Sequence, residues 1–294
     1  MERFRLANII LEWDGGGFSL LPGRYMERFR WDGAPQGDVI RFQGRFVPLE
    51  EYIKRFPLLK ENAAYATLDA DGERMLVYHW GNRRFAFAIW PERISAERTN
   101  VCWFDPDMKN QPPLHADWFF GVSGLHKALM LREAVILHAS CIERDGKAVL
   151  FAAPSGTGKS TQAQLWADTG RAEILNGDRV LLRKYQGVWH AFGYPCCGSS
   201  KICKNRTLPL QAVVVLEQGA ENRVCALSAA QKIRALVSGI EVYLWDREEI
   251  DRSFCLAGQI AGEVPVIKLV CRPDAGAVAA LDRYLEEEWY ATGI

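Results

Sequence analysis

The sequence predicts an α/β protein in two parts, a β-rich N-terminal domain over residues 1–127 and an α/β domain over residues 128–294. In the first part, short runs rich in aromatic and β-branched residues are separated by Gly, Asn, Asp and Pro, which is typical of strands and turns. In the second part, apolar strand patterns alternate with helical patterns, and a glycine-rich loop joins a strand to a helix. A chain of 294 residues is long enough for two domains of ordinary size.

The N-terminal domain contains six of the ten tryptophans and many arginines. We expect these aromatic side chains to pack the core of a small sheet, and the alternative is a docking surface for a partner or substrate. A helix with apolar residues at helical spacing would brace the two domains. The strands are predicted over 4–13, 24–31, 38–42, 74–80 and 84–90, a helical turn over 51–55 and the bracing helix over 116–132.

The second domain alternates strands and helices along its length. Ser228 and Asp274 are placed to cap two of the helices through their side-chain oxygens. Tight turns at Asp145-Gly146 and Gln186-Gly187 join consecutive strands as hairpins. The strands are predicted over 134–143, 148–152, 172–175, 180–185, 188–192, 212–216 and 266–270, and the helices over 161–168, 228–237, 248–261 and 274–289.

The glycine-rich loop follows a buried strand and precedes a helix, which is the context of a Walker A phosphate-binding loop, or P-loop. Gly156 and Gly158 allow backbone N–H groups to turn inward as an anion nest. Lys159 would contact the outer phosphates of ATP, and the Ser160 hydroxyl would bind Mg²⁺. The predicted nucleotide-binding residues are Pro154, Ser155, Gly156, Thr157, Gly158, Lys159, Ser160 and Thr161.

Ala153 stands where the usual pattern has its first glycine. Alanine can fill that place if its φ angle is negative. The alternative interpretation of the segment is a glycine-rich turn between a strand and a helix that binds nothing.

Asp178 is the first carboxylate that follows the P-loop helix and the short strand after it. If that strand lies next to the P-loop strand, as in a right-handed βαβ unit, Asp178 lies beside the phosphates. It could bind Mg²⁺ or accept a proton from a hydroxyl nucleophile. His138 lies on the strand that pairs with the P-loop strand through the hairpin, so we expect it near the same site. A turn aspartate and a core histidine are the alternatives.

The combination of His138-Ala139, a hairpin, the P-loop and Asn176-Gly177-Asp178-Arg179 resembles the catalytic domain of HPr kinase/phosphorylase, over about residues 130–290. That family shares its P-loop core with ATP-dependent phosphoenolpyruvate carboxykinase. The resemblance implies a serine kinase that uses ATP and Mg²⁺, with His138 near the acid and Asp178 as base or metal ligand. The residues before 130 resemble, weakly, the β-rich leader of stand-alone HPr-kinase-like proteins.

One acid of the pair that the family carries is missing, because Gly177 stands in its place. The resemblance therefore implies a forward kinase reaction more firmly than the reverse phosphorylase reaction. The family also has a basic residue past the acid motif that lies over the active site. Arg206 or Lys201 would match it, and could stabilise negative charge on the transferring phosphoryl group. The alternative is a solvated basic turn.

Composition excludes several classes of partner. The formal net charge is zero, which argues against binding to nucleic acid or a membrane surface through a basic field. No run of 18 apolar residues and no apolar leader are present, so we expect a cytoplasmic protein without a membrane span. Cys196, Cys197 and Cys203 form the one cysteine cluster, and their spacing is not that of a zinc site.

The predicted function is ATP-dependent phosphoryl transfer to a hydroxyl, most of all to a serine of a protein or peptide, with Asp178, His138 and Arg206 as catalytic residues. Two alternatives remain open. One is a small-molecule kinase or carboxykinase-type enzyme on the same core, and the other is a nucleotide-binding module without catalysis. The resemblance also makes a homo-oligomer plausible.

Overall fold

The protein is a mixed α/β chain with two large β-sheets. Its structure is a computed structural model, which describes residues 1–21, 23–81, 83–111 and 114–292. The chain separates into two compact units, Met1–Arg132 and Glu133–Ile294. Among the described residues, no helix is long and apolar enough to cross a membrane.

The first unit is built on an eight-stranded sheet with the order β1-β2-β3-β8-β7-β6-β5-β4. Strands β2, β3 and β8 run parallel to one another, and the other neighbours are antiparallel. The strands are β1 (Glu2–Leu6), β2 (Ile9–Asp14), β3 (Val39–Phe46), β4 (Leu58–Glu61), β5 (Tyr65–Ala70), β6 (Glu73–Trp80), β7 (Arg83–Ile89) and β8 (Asn100–Phe104), and the helices are α1 (Leu49–Ile53), α2 (Ala116–Val122) and α3 (Leu125–Met130).

Three predicted elements of this unit are wrong in detail. The strand predicted over 4–13 is a hairpin, because Ala7 and Asn8 take positive φ angles of 50° and 60° and reverse the chain. The strand predicted over 24–31 contains a 3₁₀ turn, whose Met26 N–H donates to the Asp117 carboxylate at 2.6 Å. The helix predicted over 116–132 is broken at Gly124, where φ is 80°.

Aromatic side chains fill the core of the first unit, as the sequence predicts. Trp13 is buried and its ring lies 4.8 Å from that of Phe119 and 6.1 Å from that of Phe104. Phe87 stacks on Phe104 with ring centroids 5.6 Å apart. Contacts of this kind stabilise beyond simple area burial by about 0.5–1.5 kcal/mol each.

The second unit contains the site that the sequence predicts. Its sheet is organised around two long strands, β9 and β14, which pair with different neighbours along their lengths. The strands are β9 (Ala134–Arg144), β10 (Lys147–Ala152), β11 (Glu173–Asn176), β12 (Arg179–Tyr185), β13 (Val188–Phe192), β14 (Thr207–Gln218), β15 (Arg223–Ala226) and β16 (Val266–Cys271), and the helices are α4 (Lys159–Asp168), α5 (Ala229–Val237), α6 (Arg247–Glu263) and α7 (Ala275–Thr292).

Strand β9 passes from one set of neighbours to another at His138. Its residues 134–138 pair with β12, and residues 139–144 pair with β10. Strand β14 does the same, pairing first with β13 and then with β10 and β16, to both of which it runs parallel. The strands β9, β12, β13, β14 and β10 therefore form a closed ring of pairings, and the carboxyl ends of the parallel strands β10, β14 and β16 lie along one edge.

Helix α4 is held against the sheet by its apolar face. Ala163 and Trp166 are buried in a cluster with Val149 and Phe151 of β10 and Val214 of β14. Burial of a side chain such as Phe151 stabilises the fold by roughly 1.5–3 kcal/mol. This packing holds the start of α4 at the carboxyl end of β10.

The strand after α4 does not lie next to the P-loop strand, so that expectation is wrong. β11 pairs with β9, and β9 lies between β10 and β11. The hairpin at Asp145-Gly146 is the reason, because it places β9 along the edge of β10 that β11 would otherwise occupy. Asp178, just beyond β11, consequently meets the residues of β9.

Candidate functional site

The loop between β10 and α4 contains two glycines in the positive-φ conformation that an anion nest requires. Gly156 and Gly158 have φ angles of 81° and 116°, which residues with a side chain rarely adopt. A Cβ atom at either position would meet no atom within 4 Å, so backbone conformation and not crowding favours glycine there. The loop ends where α4 begins, and the N–H groups of a first helical turn are free to bind an anion.

Lys159 is the first residue of α4 and points back into the loop. Its Nζ donates to the carbonyl oxygens of Ala153 at 2.9 Å and Pro154 at 3.3 Å. Burial lowers the pKa of the Lys159 ammonium, and the charge of Asp178 acts in the opposite direction. The Ser140 hydroxyl of β9 donates to the Lys159 carbonyl at 2.8 Å and ties the helix start to the sheet. The ammonium is thus held by two carbonyls that a stronger anionic ligand could replace.

The other predicted loop residues lie at the surface beside this lysine. The side chains around the nest are exposed or half-buried, which leaves the loop open to a ligand from solvent. Exposed are Pro154, Ser155, Gly156, Ser160 and Thr161, and half-buried are Thr157 and Gly158.

His138 and Asp178 form a pair, as the sequence predicts. Nε2 of His138 lies 3.2 Å from Oδ1 of Asp178. The antiparallel pairing of β9 with β12 sets His138 opposite Arg179, so Asp178, the residue before Arg179, lies next to His138. The Asn176 Oδ1 accepts from the backbone N–H groups of Asp178 at 3.0 Å and Arg179 at 3.2 Å, which fixes the turn.

Burial and the charge of Lys159 lower the pKa of His138, while the charge of Asp178 raises it. The net shift is downward, so His138 is neutral at pH 7. Nε2 is the ring nitrogen that faces the carboxylate. In the neutral imidazole this nitrogen therefore carries the proton, and its N–H donates a hydrogen bond to Asp178. The pair therefore holds the carboxylate of Asp178 in a defined orientation.

Two further side chains, Arg179 and Cys196, contact Asp178, and a third, Glu241, contacts Arg179; sequence reasoning assigns none of them a role. Nη1 of Arg179 lies 3.1 Å from Oδ2 of Asp178 and donates to Sγ of Cys196 at 2.7 Å. Nε of Arg179 lies 3.2 Å from Oε2 of Glu241. The Cys196 thiol donates toward Oδ2 of Asp178 at 3.7 Å.

Sequence signals for these residues differ. Arg179 directly follows the predicted acid, so its proximity could have been foreseen from the motif. Cys196 belongs to the one cysteine cluster of the sequence, whereas Glu241 carries no sequence signal. Burial raises the pKa of the Cys196 thiol, although the charge of Arg179 opposes the shift.

Gly177 leaves no room for a second acid. A Cβ atom there would overlap the hydroxyl of Ser200 and lie 3.1 Å from the carbonyl oxygen of Cys197. Ser200 is held in place because its hydroxyl donates to that carbonyl at 2.7 Å and accepts from the N–H of Ile202 at 3.2 Å. Only one carboxylate of the Asn-Gly-Asp turn is available to a ligand.

Arg206 does not join His138 and Asp178. It donates to Glu143 at 2.7 Å and lies 3.4 Å from Glu173, two residues that pair with each other across β9 and β11. Along β9, Glu143 lies five residues from His138. Lys201 is exposed and has a φ angle of 57°.

A cavity of about 440 Å³ lies beside the glycine-rich loop. Its walls are the loop from Gly156 to Gly158, the first turn of α4 with Thr161 and Gln162, and the residues at the carboxyl ends of β14 and β16. Ligands of open α/β sheets bind outside the carboxyl ends of the strands. The cavity and the His138–Asp178 pair thus both adjoin the start of α4, at the same edge of the sheet.

The described residues offer few side-chain ligands for a metal ion. Among the described residues, no three or more His, Cys, Asp or Glu side chains are grouped so that they could hold a metal ion. Mg²⁺ is usually held by one or two protein oxygens together with phosphate oxygens and water. The exposed hydroxyl of Ser160 and the carboxylate of Asp178 fit that pattern.

The protein is thus a mixed α/β protein that carries a glycine-rich loop, a buried lysine and a histidine–aspartate pair at one edge of a sheet. The chain belongs to the family described as SynChlorMet cassette protein ScmC, whose model matches residues 102–257. No curated protein matches the chain.

One solved structure with a similar chain is the Hpr(Ser) kinase/phosphatase from Coxiella burnetii. It is 12% identical, the match covers 54% of this chain and 95% of that chain, and the TM-score is 0.32.

Proposed function

We propose that this protein binds ATP with Mg²⁺ at the glycine-rich loop and transfers the γ-phosphoryl group to a hydroxyl, a serine of a protein or peptide. One observation carries the proposal, the convergence of Lys159, His138 and Asp178 where β10 ends and α4 begins. A lysine in an anion nest can bind phosphates, and an oriented carboxylate can accept a hydroxyl proton.

The nucleotide phosphates would occupy the nest formed by Gly156 and Gly158. They would replace the carbonyls of Ala153 and Pro154 as partners of the Lys159 ammonium, since a charged acceptor binds an ammonium more strongly than a neutral one. The cavity next to Thr161 is of a size that accepts a nucleoside. The outer phosphate would then lie toward Asp178, whose charge acts on Lys159.

Asp178 would act on the acceptor. Its carboxylate would accept the proton of the attacking hydroxyl, and His138 would hold that carboxylate in place by donating to Oδ1. Mg²⁺, held by Ser160 and Asp178 together with phosphate oxygens, would neutralise charge on the phosphates. Lys159 would bind the same phosphates, so most of the catalysis would be positioning and charge neutralisation.

The test is transfer of label from γ-labelled ATP, with Mg²⁺ and a cell extract as source of acceptor, followed on a denaturing gel. We expect a labelled acceptor with the wild-type protein, no transfer with Lys159→Met, and transfer lowered about 10²–10⁴-fold with Asp178→Asn. Binding of a fluorescent ATP analogue should survive in Asp178→Asn. Equal labelling by wild type and Asp178→Asn would overturn the role of Asp178.

A second candidate is a nucleotide-binding module that performs no chemistry. It is favoured by Gly177, because the neighbouring Ser200 closes the place where a second acid would stand. Tight ATP binding by the wild-type protein with no labelled acceptor in any extract would support this candidate over the kinase.

A further inference from the structure

Two cationic side chains and the neutral imidazole of His138 act on Asp178. Lys159 acts on it through its charge, Arg179 contacts Oδ2, and His138 contacts Oδ1. Glu241 is the one other carboxylate in contact with Arg179 among the described residues. A surplus of donors around a single acid at the end of an anion nest is the arrangement expected for a second anionic group, one that arrives with the ligand.

The guanidinium of Arg179 is held rigidly at the mouth of this site. Glu241 fixes Nε at 3.2 Å, while Asp178 and Cys196 fix Nη1 at 3.1 Å and 2.7 Å. The Nη2 amino group has no hydrogen-bond partner within the part of the chain that the structure describes. The side chain is 36% exposed, so a ligand from solvent can reach these donors.

The other basic candidates do not meet these conditions. Arg206 is engaged by Glu143 and Glu173, away from His138 along β9. Lys201 is exposed on the loop that covers Gly177, and an ammonium has no planar fork to match the oxygens of a phosphoryl group.

We propose that Arg179 is a catalytic residue whose Nη2 group donates to the oxygens of the transferred phosphoryl group. The inference rests on the function proposed above. In that reaction the acceptor oxygen forms a bond to the γ-phosphorus, the bond from this phosphorus to the β,γ-bridging oxygen breaks, and ADP leaves with the electron pair. The hydroxyl proton passes to Asp178. Arg179 stabilises the charge that is spread over the three equatorial oxygens, as an arginine supplied in cis.

The experiment compares binding of two probes, Mg²⁺-ADP alone and Mg²⁺-ADP with aluminium fluoride, which mimics a phosphoryl group in transfer. We expect Arg179→Met to weaken binding of the fluoride complex about 10²-fold and to change ADP binding little. Arg179→Lys, which keeps the charge but not the fork, should recover only part of the loss. Arg183→Met, a matched arginine substitution on the same strand, should bind both probes as the wild type does.

The outcomes separate the two proposals. If the wild-type protein binds neither probe, the nucleotide-binding function fails. If the wild type prefers the fluoride complex and Arg179→Met keeps that preference, the function survives and the role of Arg179 is overturned. If Arg179→Met proves unstable by thermal denaturation, Arg179→Lys decides, and an unchanged preference for the fluoride complex in that variant contradicts the need for the fork.

Discussion

Strand β9 carries two clusters of charged residues that differ in their exposure to solvent. At His138 the charged side chains are half-open, with His138, Asp178 and Arg179 exposed to 38%, 25% and 36%. At Arg144 they are closed, because Arg144 and Asp282 are exposed to only 9% and 7%. The first cluster keeps hydrogen-bond donors exposed at the surface. In the second cluster, the donors of Arg144 are bonded to carboxylates of the same cluster.

The closed cluster joins β9 to helix α7. Nε of Arg144 donates to Oδ1 of Asp282 at 2.7 Å, Arg171 contacts the other oxygen, and Glu286 lies 3.4 Å from Arg144. A saturated buried pair of this kind holds two elements in register but offers nothing to a ligand. The candidate site is therefore marked by charged groups that a ligand can reach, and the presence of charged groups alone does not distinguish it.

The largest effect on stability should come from the closed cluster. Asp282→Ala would leave Arg144 buried without its main partner, so we expect a loss of about 3–5 kcal/mol in the free energy of unfolding. Urea denaturation would measure it. At temperatures where the variant stays folded, nucleotide binding should match that of the wild type. If Asp282→Ala were as stable as the wild type, the buried Arg144–Asp282 pair would not stabilise the fold.

The open cluster should respond through activity. Gly198 has a φ angle of 55°, and a Cβ atom there would lie 3.0 Å from Cβ of Asp178. Gly198→Ala should therefore displace Asp178 by a few tenths of an ångström and lower label transfer, by less than the roughly 10²-fold loss that a misplacement of about 1 Å would cause.

Gly187→Ala is the matched control for this prediction. Gly187 also has a positive φ angle, 82°, but a Cβ atom there meets nothing within 4 Å. Both variants should lose about 1–2 kcal/mol of stability from backbone strain, and only Gly198→Ala should lose activity. Equal activities in the two variants would show that Asp178 does not depend on Gly198.

A third variant, Gly177→Asp, tests whether the cluster around His138 has room for a second acidic side chain. Gly177→Asp would overlap the hydroxyl of Ser200, and we expect it to destabilise the protein by about 1–3 kcal/mol. Adding Ser200→Gly should recover part of this loss in thermal denaturation. If Gly177→Asp alone were as stable as the wild type, crowding by Ser200 would not be the reason for glycine.

The smallest effect is a change in the titration of His138, which NMR can follow with His138→Asn to assign the signal. Its pKa should lie below the ordinary value of 6.5. Lys159→Met should raise it, because a repelling charge is removed, and Asp178→Asn should lower it, because an attracting charge is removed. Shifts in the opposite directions would contradict the assigned contacts.

The same shift has a consequence for stability. Because the folded pKa of His138 is lower than the unfolded value, the unfolded chain binds the extra proton first as the pH falls. The contribution of His138 is therefore fully present above about pH 6.5 and is lost as the pH falls through the folded pKa. His138→Asn should make stability less dependent on pH in that window, as measured by denaturation at several pH values.

Local sequence determined those parts of this protein in which neighbours along the chain supply the structure. The loop between β10 and α4 has positive φ angles at Gly156 and Gly158. Glycine is the residue that adopts such angles most readily, so the sequence itself indicates this conformation. Ser228 caps α5 by accepting from the N–H of Gln231, as its position predicted. The pairing of His138 with Asp178 also followed from motifs and one hairpin, although the expected adjacency of β10 and β11 was wrong.

Only the tertiary structure decided which distant charges meet. Arg206 follows the acid motif in sequence, yet it pairs with Glu143 and Glu173, while Arg179 joins Asp178. The physical reason is that β9 changes neighbours at His138 and separates β10 from β11, and such long-range strand pairing leaves no signature in local composition. Glu241 reaches the site in the same way, through backbone hydrogen bonds of its segment to β9.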